Sequence, residues 1–488
     1  MVEQKSNPST SAATPYPNRF ADRALPAMSG PLEERIYQIG VRMLRAMRTH
    51  EPYKRFDPAD KLLCWAMNNH GFKTQLFRFI DTLPSLNSSE QVYSYLNDFL
   101  TQPEVKLPKT IYIALKASRL ARPALAAATR KQIQYMAQRF IAGESPLSAL
   151  PTLEKNWNRG IAFSIDLLGE QCITDKETQS YQQQYLDIIP VIAEQIQNWH
   201  SDPRLESNHL GPIPRANLSI KISSLHPHVD PIDFDGSLVS LQKAIDPILQ
   251  CAEEHNVFIN FDMEHYELKN LTIELFKQSI MRLDFPAGIA IQAYLCSAEE
   301  DIQSLIDFAQ KHKKQFTIRL VKGAYWDHEV VHARQMNWPI PVYTKKSDAD
   351  ASFERAAAMI VASIPVHPKQ PGINLALGTH NIRSIATVLA LAEAQAIPES
   401  AIELQMLYGM ASPLKTAIQN YGLRLREYVP VGAFLPGMAY LVRRLLENTS
   451  NQSWLHPAHL KNQSDEQLLA SPHDPDRPLH PILKGKTT

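Results

Sequence analysis

Eight short apolar runs rich in β-branched residues constrain the fold of this chain more than any other feature. They alternate with long stretches of helical character and occupy residues 161–167, 218–223, 257–262, 289–294, 316–321, 373–377, 402–407 and 423–429. Short runs that are apolar throughout are typical of parallel strands buried on both faces. Eight such strands with helical crossovers, over about 280 residues, predict a parallel (β/α)8 barrel.

An open, doubly wound sheet is the main alternative for alternating strands and helices. Such sheets commonly hold nucleotides on a glycine-rich loop, but no G-x-G-x-x-G follows any of these runs and no G-x-x-x-x-G-K-[ST] occurs in the chain. We therefore favour the barrel, and we expect any bound nucleotide to be held in another way.

The barrel is the third of four segments that the sequence predicts. Residues 1–30 are rich in Ser, Pro, Ala and Asn without apolar periodicity, which predicts a disordered lead. In residues 31–154 apolar side chains such as Ile36, Ile39 and Met43 recur at three-to-four spacing, which predicts an all-helical arm domain of structural or dimerising character. Residues 155–455 form the barrel, and 456–488 form a Pro- and Asp-rich tail.

Composition excludes several classes of function. The 488 residues are 44% hydrophobic and 20% charged, with 50 basic and 50 acidic residues, so no net charge draws the chain to nucleic acid. The four cysteines lie far apart without a CxxC pair, so we expect neither disulfides nor a metal site. There is no signal segment and no apolar stretch of about 18 residues, which predicts a cytoplasmic protein.

Polar side chains cluster where the predicted strands end. In a (β/α)8 barrel the functional residues lie at the carboxyl ends of the strands, and charges within such runs are costly to bury unless they are paired or bind a ligand. Lys322 and Gly323 add an ammonium and open backbone amides, which suits a phosphate. The polar residues at or near strand ends are Lys221, Asp262, Glu264, Gln292, Tyr294, Arg319, Lys322, Thr379, His380, Asn381, Gln405 and Tyr428.

A predicted helix over residues 440–448 offers a second group of charges. At 3.6 residues per turn, Tyr440, Arg443, Arg444 and Glu447 share one face, and leucine and valine side chains occupy the other. Two adjacent guanidiniums suit a carboxylate, and Glu447 lies four residues after Arg443 and can hold it. A solvated surface helix with one salt bridge remains the alternative for this stretch alone.

Six ordered motifs resemble the proline dehydrogenase family. The resemblance is to the proline dehydrogenase portion of the bifunctional proline utilisation A proteins, and it implies a distorted (βα)8 barrel that binds FAD without a Rossmann fold. It also implies oxidation of L-proline to Δ1-pyrroline-5-carboxylate, with hydride passing from proline C5 to flavin N5 and a quinone reoxidising the flavin. The motifs are SIKISSLHP at 219–227, RLVKGAYWD at 319–327, PVYTKK at 341–346, THN at 379–381, YVPVG at 428–432 and YLVRRLLEN at 440–448.

The resemblance also implies roles for individual residues. Arg443, Arg444 and Lys221 would bind the proline carboxylate, and Asp262 matches the active-site aspartate of the family. The substrate ring would be enclosed by Tyr325, Leu407, Tyr428 and Tyr440, with Ala324 and Glu447 beside it.

The implied cofactor contacts fall into two groups. Arg319 and Gln292 match the residues that contact the flavin ring. The rest of FAD would be held by Lys322, Gly323, Trp326, Thr344, Lys345, Lys346, Thr379, His380, Asn381 and Gln405.

Two other functions are compatible with the sequence. A flavin barrel of the methylenetetrahydrofolate reductase kind is one alternative, and a non-catalytic scaffold that binds partners through its helical region is another. The family also carries an aldehyde dehydrogenase domain after the barrel, so the chain is either monofunctional, with a separate partner for its product, or a fragment. The quinone acceptor implies transient peripheral contact with the inner face of a membrane.

Overall fold

The computed structural model describes residues 30–49, 70–105, 122–169, 172–433 and 463–473. The predicted disordered lead, apart from residue 30, lies outside these ranges. So does the predicted helix with Tyr440, Arg443, Arg444 and Glu447. Their assignments remain predictions.

Eight parallel strands close into a barrel, which confirms the predicted fold class. Each strand pairs with its neighbours in the chain, and the first pairs with the last. The strands are β1 Ala162–Leu167, β2 Asn217–Ile220, β3 Phe258–Phe261, β4 Ala287–Gln292, β5 Gln315–Val321, β6 Gly372–Gly378, β7 Ile402–Leu407 and β8 Arg424–Val431.

Helices connect the strands and surround the barrel, and further helices precede it. The capping box in which Thr174 and Glu177 exchange hydrogen bonds begins the first crossover helix. The helices are α1 Pro31–Thr49, α2 His70–Thr82, α3 Ser89–Leu100, α4 Arg122–Ala137, α5 Pro146–Trp157, α6 Asp175–Gln195, α7 Phe234–Glu254, α8 Lys269–Arg282, α9 Ala298–His312, α10 Trp326–Gln335, α11 Lys346–Ser363, α12 Ile382–Ala394 and α13 Ser412–Asn420, with short helices at Pro203–Glu206 and Asp465–Leu468. A small hairpin of Ser207–Asn208 and Gly211–Pro212 precedes β2.

Side chains alternate between the two faces of each strand. In β1, Phe163 and Ile165 belong to the large apolar core beneath the outer helices. Ser164 instead lies 3.3 Å from the hydroxyl of Ser219 on the neighbouring strand, and Asp166 pairs with Lys221. The barrel interior is therefore polar at its carboxyl end, and the apolar core lies between the sheet and the helices.

The helices before the barrel pack in two separate places. Helix α1 packs on α12 and α13, and its Ile36 and Met43 are fully buried in the core shared with the barrel. Helices α2, α3 and α4 form a second apolar cluster around Phe79 and Val92, which meets the barrel at Met410. The predicted arm domain of 31–154 thus shares part of its core with the barrel, and the boundary at residue 154 remains a prediction.

One buried ion cluster fixes α1 to the outer helices. The guanidinium of Arg383, in α12, donates to Glu354 of α11 at 3.0 and 3.2 Å and to Glu33 of α1 at 2.7 Å from each terminal nitrogen. It also donates to the backbone oxygen of Leu469 at 3.1 Å, and His473 lies 3.0 Å from Glu354. Three helices and the segment 463–473 therefore meet at one arginine.

A second ion cluster lies inside the barrel near its amino end. The buried carboxylate of Glu403 accepts from Arg426 Nε at 2.9 Å, from Arg426 Nη2 at 3.1 Å and from Arg424 Nε at 3.1 Å. Burial acts to raise the pKa of Glu403, but the charges of Arg426 and Arg424 outweigh it and lower the pKa to about 2. The carboxylate is thus charged at neutral pH and links β7 to β8.

We expect Glu403→Gln to lower the free energy of unfolding by about 3 to 5 kcal/mol, since removing one partner of a buried ion pair leaves the other charges uncompensated. Because folding lowers the pKa from 4.5 to about 2, the stabilisation is present above pH 4.5 and is lost as the pH falls toward 2. Urea unfolding of wild type from pH 7 to 2.5 should show this loss, and the variant should lack it. Glu393→Gln, which breaks an exposed pair with Arg35, is the matched control and should cost about 1 kcal/mol or less. Equal effects of the two substitutions would contradict the assignment.

Candidate active site

A buried arginine organises the carboxyl end of the barrel. Arg319, on β5, is 4% exposed and crosses the interior to three other strands. Its Nη1 donates to Asp262 at 2.6 Å and to Ser219 at 3.0 Å, and its Nη2 donates to Ser164 at 3.1 Å. The plane of the guanidinium is therefore fixed by contacts from β1, β2 and the end of β3.

Asp262, which directly follows β3, connects this arginine to a tyrosine. Its Oδ1 also accepts from Asn260 at 3.1 Å, and its Oδ2 accepts from Tyr428 Oη at 2.6 Å. Burial raises the pKa of Tyr428 well above its ordinary value, and the charges of Asp166 and Asp262 add to the shift. The Tyr428 ring also lies 5.2 Å from Arg319 Cζ, a favourable cation–π distance. Tyr428 is therefore a protonated donor at neutral pH.

Lys221, just after β2, lies between two carboxylates. Its ammonium donates to Asp166, and Nζ is 3.9 Å from Asp262 Oδ2. Burial acts to lower the pKa of Lys221, but the two aspartates outweigh it and raise the pKa. Lys221 and Arg319 thus balance Asp166 and Asp262 in charge. An anionic substrate would need further positive charge, which the sequence assigns to residues outside the described ranges.

Asp166, Ser164 and Ser219 also belong to this cluster, although they were not among the predicted site residues. Asp166 is 2% exposed, and burial raises its pKa while the Lys221 ammonium opposes the shift. A carboxylate inside a β-branched run was the available signal, because such a charge is buried only when it is paired. The serines carried no such signal, since a hydroxyl in a strand is common.

Two lysines predicted to contact the cofactor share one carboxylate. Lys322, in the loop after β5, donates to Asp350, and Lys346 at the start of α11 donates to the other oxygen of Asp350 at 2.6 Å. Lys345 precedes α11 as its N-cap residue, and Thr344 precedes that. The loop after β5 and the amino end of α11 therefore bring positive charge together, as a phosphate group requires.

The loop after β5 turns sharply at Gly323. Its φ is +129°, and an added Cβ would lie 2.5 Å from the Tyr294 ring. Beyond it, the Tyr325 ring lies 4.4 Å from that of His265. Trp326 begins α10, and its indole N–H donates to the backbone oxygen of Tyr343 at 2.9 Å. Ala324 lies in the same loop. This turn therefore brings four predicted residues, 323–326, to the carboxyl end of the barrel, which we call the mouth.

We expect Gly323→Ala to destabilise the protein, because it combines a strained backbone with an overlap of the new Cβ on the Tyr294 ring. Each of these effects costs about 1 to 3 kcal/mol. Gly422→Ala is the matched control, since Gly422 has a φ of +79° with open space around its Cα. The midpoint of thermal unfolding of each variant, compared with wild type, measures the destabilisation. If the two variants lose the same stability, the close approach of Gly323 to the Tyr294 ring does not contribute to the destabilisation.

The THN motif follows β6 as predicted, but its polar groups also have local partners. Asn381 Oδ1 caps α12 by accepting from the backbone N–H of Arg383 at 2.9 Å, and Thr379 Oγ1 accepts from the backbone N–H of Asn381 at 3.0 Å. His380 Nε2 accepts from the backbone N–H of Leu407 at 3.2 Å. The motif therefore links the ends of β6 and β7, where Leu407 packs against the cluster of α2 to α4.

Some buried polar atoms at the mouth have no hydrogen-bond partner among the described residues. Gln292 Oε1, on a side chain that is 2% exposed, and Arg319 Nε are two of them. Gln292 Nε2 donates to the backbone oxygen of Glu264 at 3.2 Å, which holds the amide in place. An acceptor and a donor left unpaired beside a glycine turn fit a planar cofactor with hydrogen-bonding edges, such as a flavin.

Gln405 is placed differently from the other predicted cofactor contacts. Its Nε2 donates to Glu403 at 2.7 Å, and its side chain lines a cavity at the amino end of the barrel. Its contact with the cofactor stays a prediction.

Glu264, another polar residue predicted near a strand end, has protein partners. Its buried carboxylate accepts from Ser223 N at 3.1 Å and from Ser223 Oγ at 2.5 Å.

Comparison with known proteins gives consistent matches. The sequence model for proline dehydrogenase matches residues 149–457, and that for the proline utilization A N-terminal domain matches residues 33–140. The bifunctional protein PutA of Klebsiella aerogenes is 30% identical over 353 residues, covering 70% of this chain and 25% of that protein. Proline dehydrogenase 1 of Bacillus subtilis is 28% identical over 325 residues, covering 67% of this chain and 91% of that protein.

A solved structure matches this chain over most of its length. Proline utilization A (PutA) from Bdellovibrio bacteriovorus, inactivated by N-propargylglycine, has a TM-score of 0.82 and 37% identity, and the match covers 92% of this chain and 45% of that chain. This chain thus spans less than half the length of the PutA proteins it matches. Among the described helices, none is both long and apolar enough to cross a bilayer.

Proposed function

Because this chain belongs to the proline dehydrogenase family, we propose that it oxidises L-proline to Δ1-pyrroline-5-carboxylate with FAD as its cofactor. The observation that carries the proposal is the buried cluster at the barrel mouth, where Arg319, Asp262, Tyr428 and Lys221 are joined by direct contacts. A charged and fixed cluster of this kind suits the orientation of a small carboxylic acid.

The substrate carboxylate would bind Lys221, whose ammonium is held by Asp166. Since the described cluster is balanced in charge, Arg443 and Arg444 would supply the further positive charge. Tyr428 Oη keeps its proton at neutral pH, so this residue donates to Asp262 and does not act as a base. Tyr325 and Leu407 would contribute to the walls around the ring.

The cofactor would lie against Arg319 and Gln292, with its phosphates toward Lys322, Gly323 and Lys346. A flavin bound there supplies a hydride acceptor for proline C5. Arg319 holds a positive charge at this position, and Asp262 and the two serines fix its orientation. Negative charge that develops beside Arg319 is thereby stabilised without reorganisation of the site.

The electron acceptor we propose is a membrane quinone, reached by transient contact with the inner face of a membrane. The support for this is the family resemblance. The product carries an aldehyde equivalent, so an aldehyde dehydrogenase, separate or linked to this chain, would consume it.

Anaerobic titration of the purified full chain tests the function. We expect a yellow protein whose flavin absorbance is bleached by L-proline and not by D-proline, with the product trapped by o-aminobenzaldehyde. Bleaching by a reduced nicotinamide and not by L-proline would favour the methylenetetrahydrofolate reductase kind of barrel. A colourless protein that stays inactive when FAD is added would overturn the proposal.

A further inference from the structure

A cavity lies at the amino end of the barrel, opposite the candidate active site. Its volume is about 300 Å³, which is at the small end of the range for ligand pockets. The first residues of several strands line it, among them Asn217 of β2 and Arg424 of β8, and the hairpin before β2 contributes Asn208 and Pro212. The cavity is therefore walled by fixed strand ends and bordered by one small hairpin.

Three amide side chains in this wall have unused oxygen atoms. Asn217 is 3% exposed, and its Oδ1 has no hydrogen-bond partner within the described ranges. Asn374 Oδ1 and Gln405 Oε1 are likewise buried without a partner there. Buried amides without partners destabilise a fold, so their convergence on one cavity indicates a ligand with hydrogen-bond donors.

The charges around the cavity favour an anion. Glu403 has one negative charge against the two positive charges of Arg424 and Arg426, and it accepts from both. Arg424 Nε donates to Glu403 and Nη1 donates to the hairpin oxygen of Ser207 at 3.0 Å, but Nη2 has no partner among the described residues. One positive charge is thus left over, with a guanidinium nitrogen available to a carboxylate.

We propose that this cavity binds a small hydroxycarboxylate, with the carboxylate on Arg424 and the hydroxyl donating to Asn217. The balance of groups selects this class. An amino acid would add an ammonium to a wall that already has one positive charge in excess, whereas a hydroxyl donates to the neutral amide oxygens without adding charge. This inference does not depend on the proposed function, because it concerns the other end of the barrel.

Ordered water is the competing occupant, since several waters could satisfy the same amides. The three probes glycolate, acetate and glycine distinguish the occupants. They share a carboxylate and differ in carrying a hydroxyl, a methyl hydrogen or an ammonium. Calorimetric titration of the full chain should show glycolate binding at least tenfold more tightly than acetate and glycine. Binding of glycolate no tighter than acetate would leave water as the occupant and overturn the proposal.

Variants separate this cavity from the barrel mouth. Lys221→Met removes carboxylate binding at the mouth and should leave glycolate affinity unchanged, while Asn217→Leu should weaken it at least tenfold. Asn270→Leu, at an exposed position on α8, is the matched control and should bind like wild type. Loss of glycolate binding in Lys221→Met together with its retention in Asn217→Leu would place the ligand at the mouth and refute the inference.

Wild type provides a readout that needs no variant. Glycolate should slow hydrogen exchange of the backbone amides in the hairpin at 207–212, and acetate should not. If Asn217→Leu does not fold, Asn374→Leu and this exchange measurement decide the question. Unchanged exchange in the hairpin at saturating glycolate would contradict the proposal.

Discussion

Lys221→Met should raise the KM for L-proline by about 30-fold or more, because truncating one partner of a buried charge pair costs about 2 to 5 kcal/mol. The substitution removes a proposed carboxylate contact and also leaves Asp166 without its ammonium. Methionine keeps the length and apolar stem of lysine, so packing changes little. Initial rates over a range of L-proline concentrations, with an artificial electron acceptor, measure the effect.

A buried lysine elsewhere provides the matched control for this result. Lys269 is 6% exposed and donates to both oxygens of Asp301, at 2.7 and 2.8 Å, on the outside of the barrel. We expect Lys269→Met to lower the midpoint of thermal unfolding, because a buried ion pair is lost. The KM should stay within about twofold, a difference of about 0.4 kcal/mol, because Lys269 lies away from the proposed substrate site. Comparable KM changes in the two variants would show that Lys221 acts through stability alone.

Arg319→Met should lower kcat by about 10² to 10³, the loss typical of removing one preorganised electrostatic donor. Its guanidinium contacts Asp262, Ser219 and Ser164 at once, so removal also leaves Asp262 without its nearest cation. The variant should contain less flavin per protein, since it loses the flavin contact that we propose for Arg319. The rate should therefore be expressed per bound flavin, measured from the visible absorbance.

Arg383→Met is the matched control for the arginine. Arg383 is also 4% exposed and paired with carboxylates, but it joins the outer helices to α1. Its loss should lower stability and leave kcat per flavin within about twofold, a difference of about 0.4 kcal/mol. Arg319→Lys, which keeps the charge but not the three-way contact, should retain part of the activity. An Arg319→Met variant with wild-type kcat per flavin would remove this residue from the proposed site.

The barrel itself was predictable because its signal is repeated eight times along the chain. The strand boundaries were less exact. The run predicted at 218–223 is too long at its carboxyl end, since β2 ends at Ile220 and a 3-10 turn follows at Ile222–Ser224. Lys221 thus lies at the point where the strand ends. Periodicity identifies strands in this way, but it does not identify the hairpin at 207–212, whose strands of two residues are too short to show a pattern.

The site was predictable in part, for a reason that the charged strand residues make clear. Charges in apolar runs indicated Lys221, Asp262 and Arg319, and the structure brings these three together. Asp166 and Arg424 are also charged residues within apolar runs, although neither was predicted as a site residue. Arg424 lies at the start of its strand. A buried charge indicates that a partner or a ligand is present. Its position along the strand then shows at which end of the barrel it lies.

The docking of α1 has a consequence for the order in which this protein can fold during synthesis. Arg35 of α1 pairs with Glu393 of α12, which is 358 residues later in the chain. At roughly 5 to 20 residues per second, a ribosome needs roughly 20 to 70 s to make the intervening chain. For that time α12 and α13, the helices on which α1 and its apolar stripe of Ile36, Ile39 and Met43 pack, are not complete. The native burial of this stripe therefore has to wait until the last part of the barrel has been synthesised.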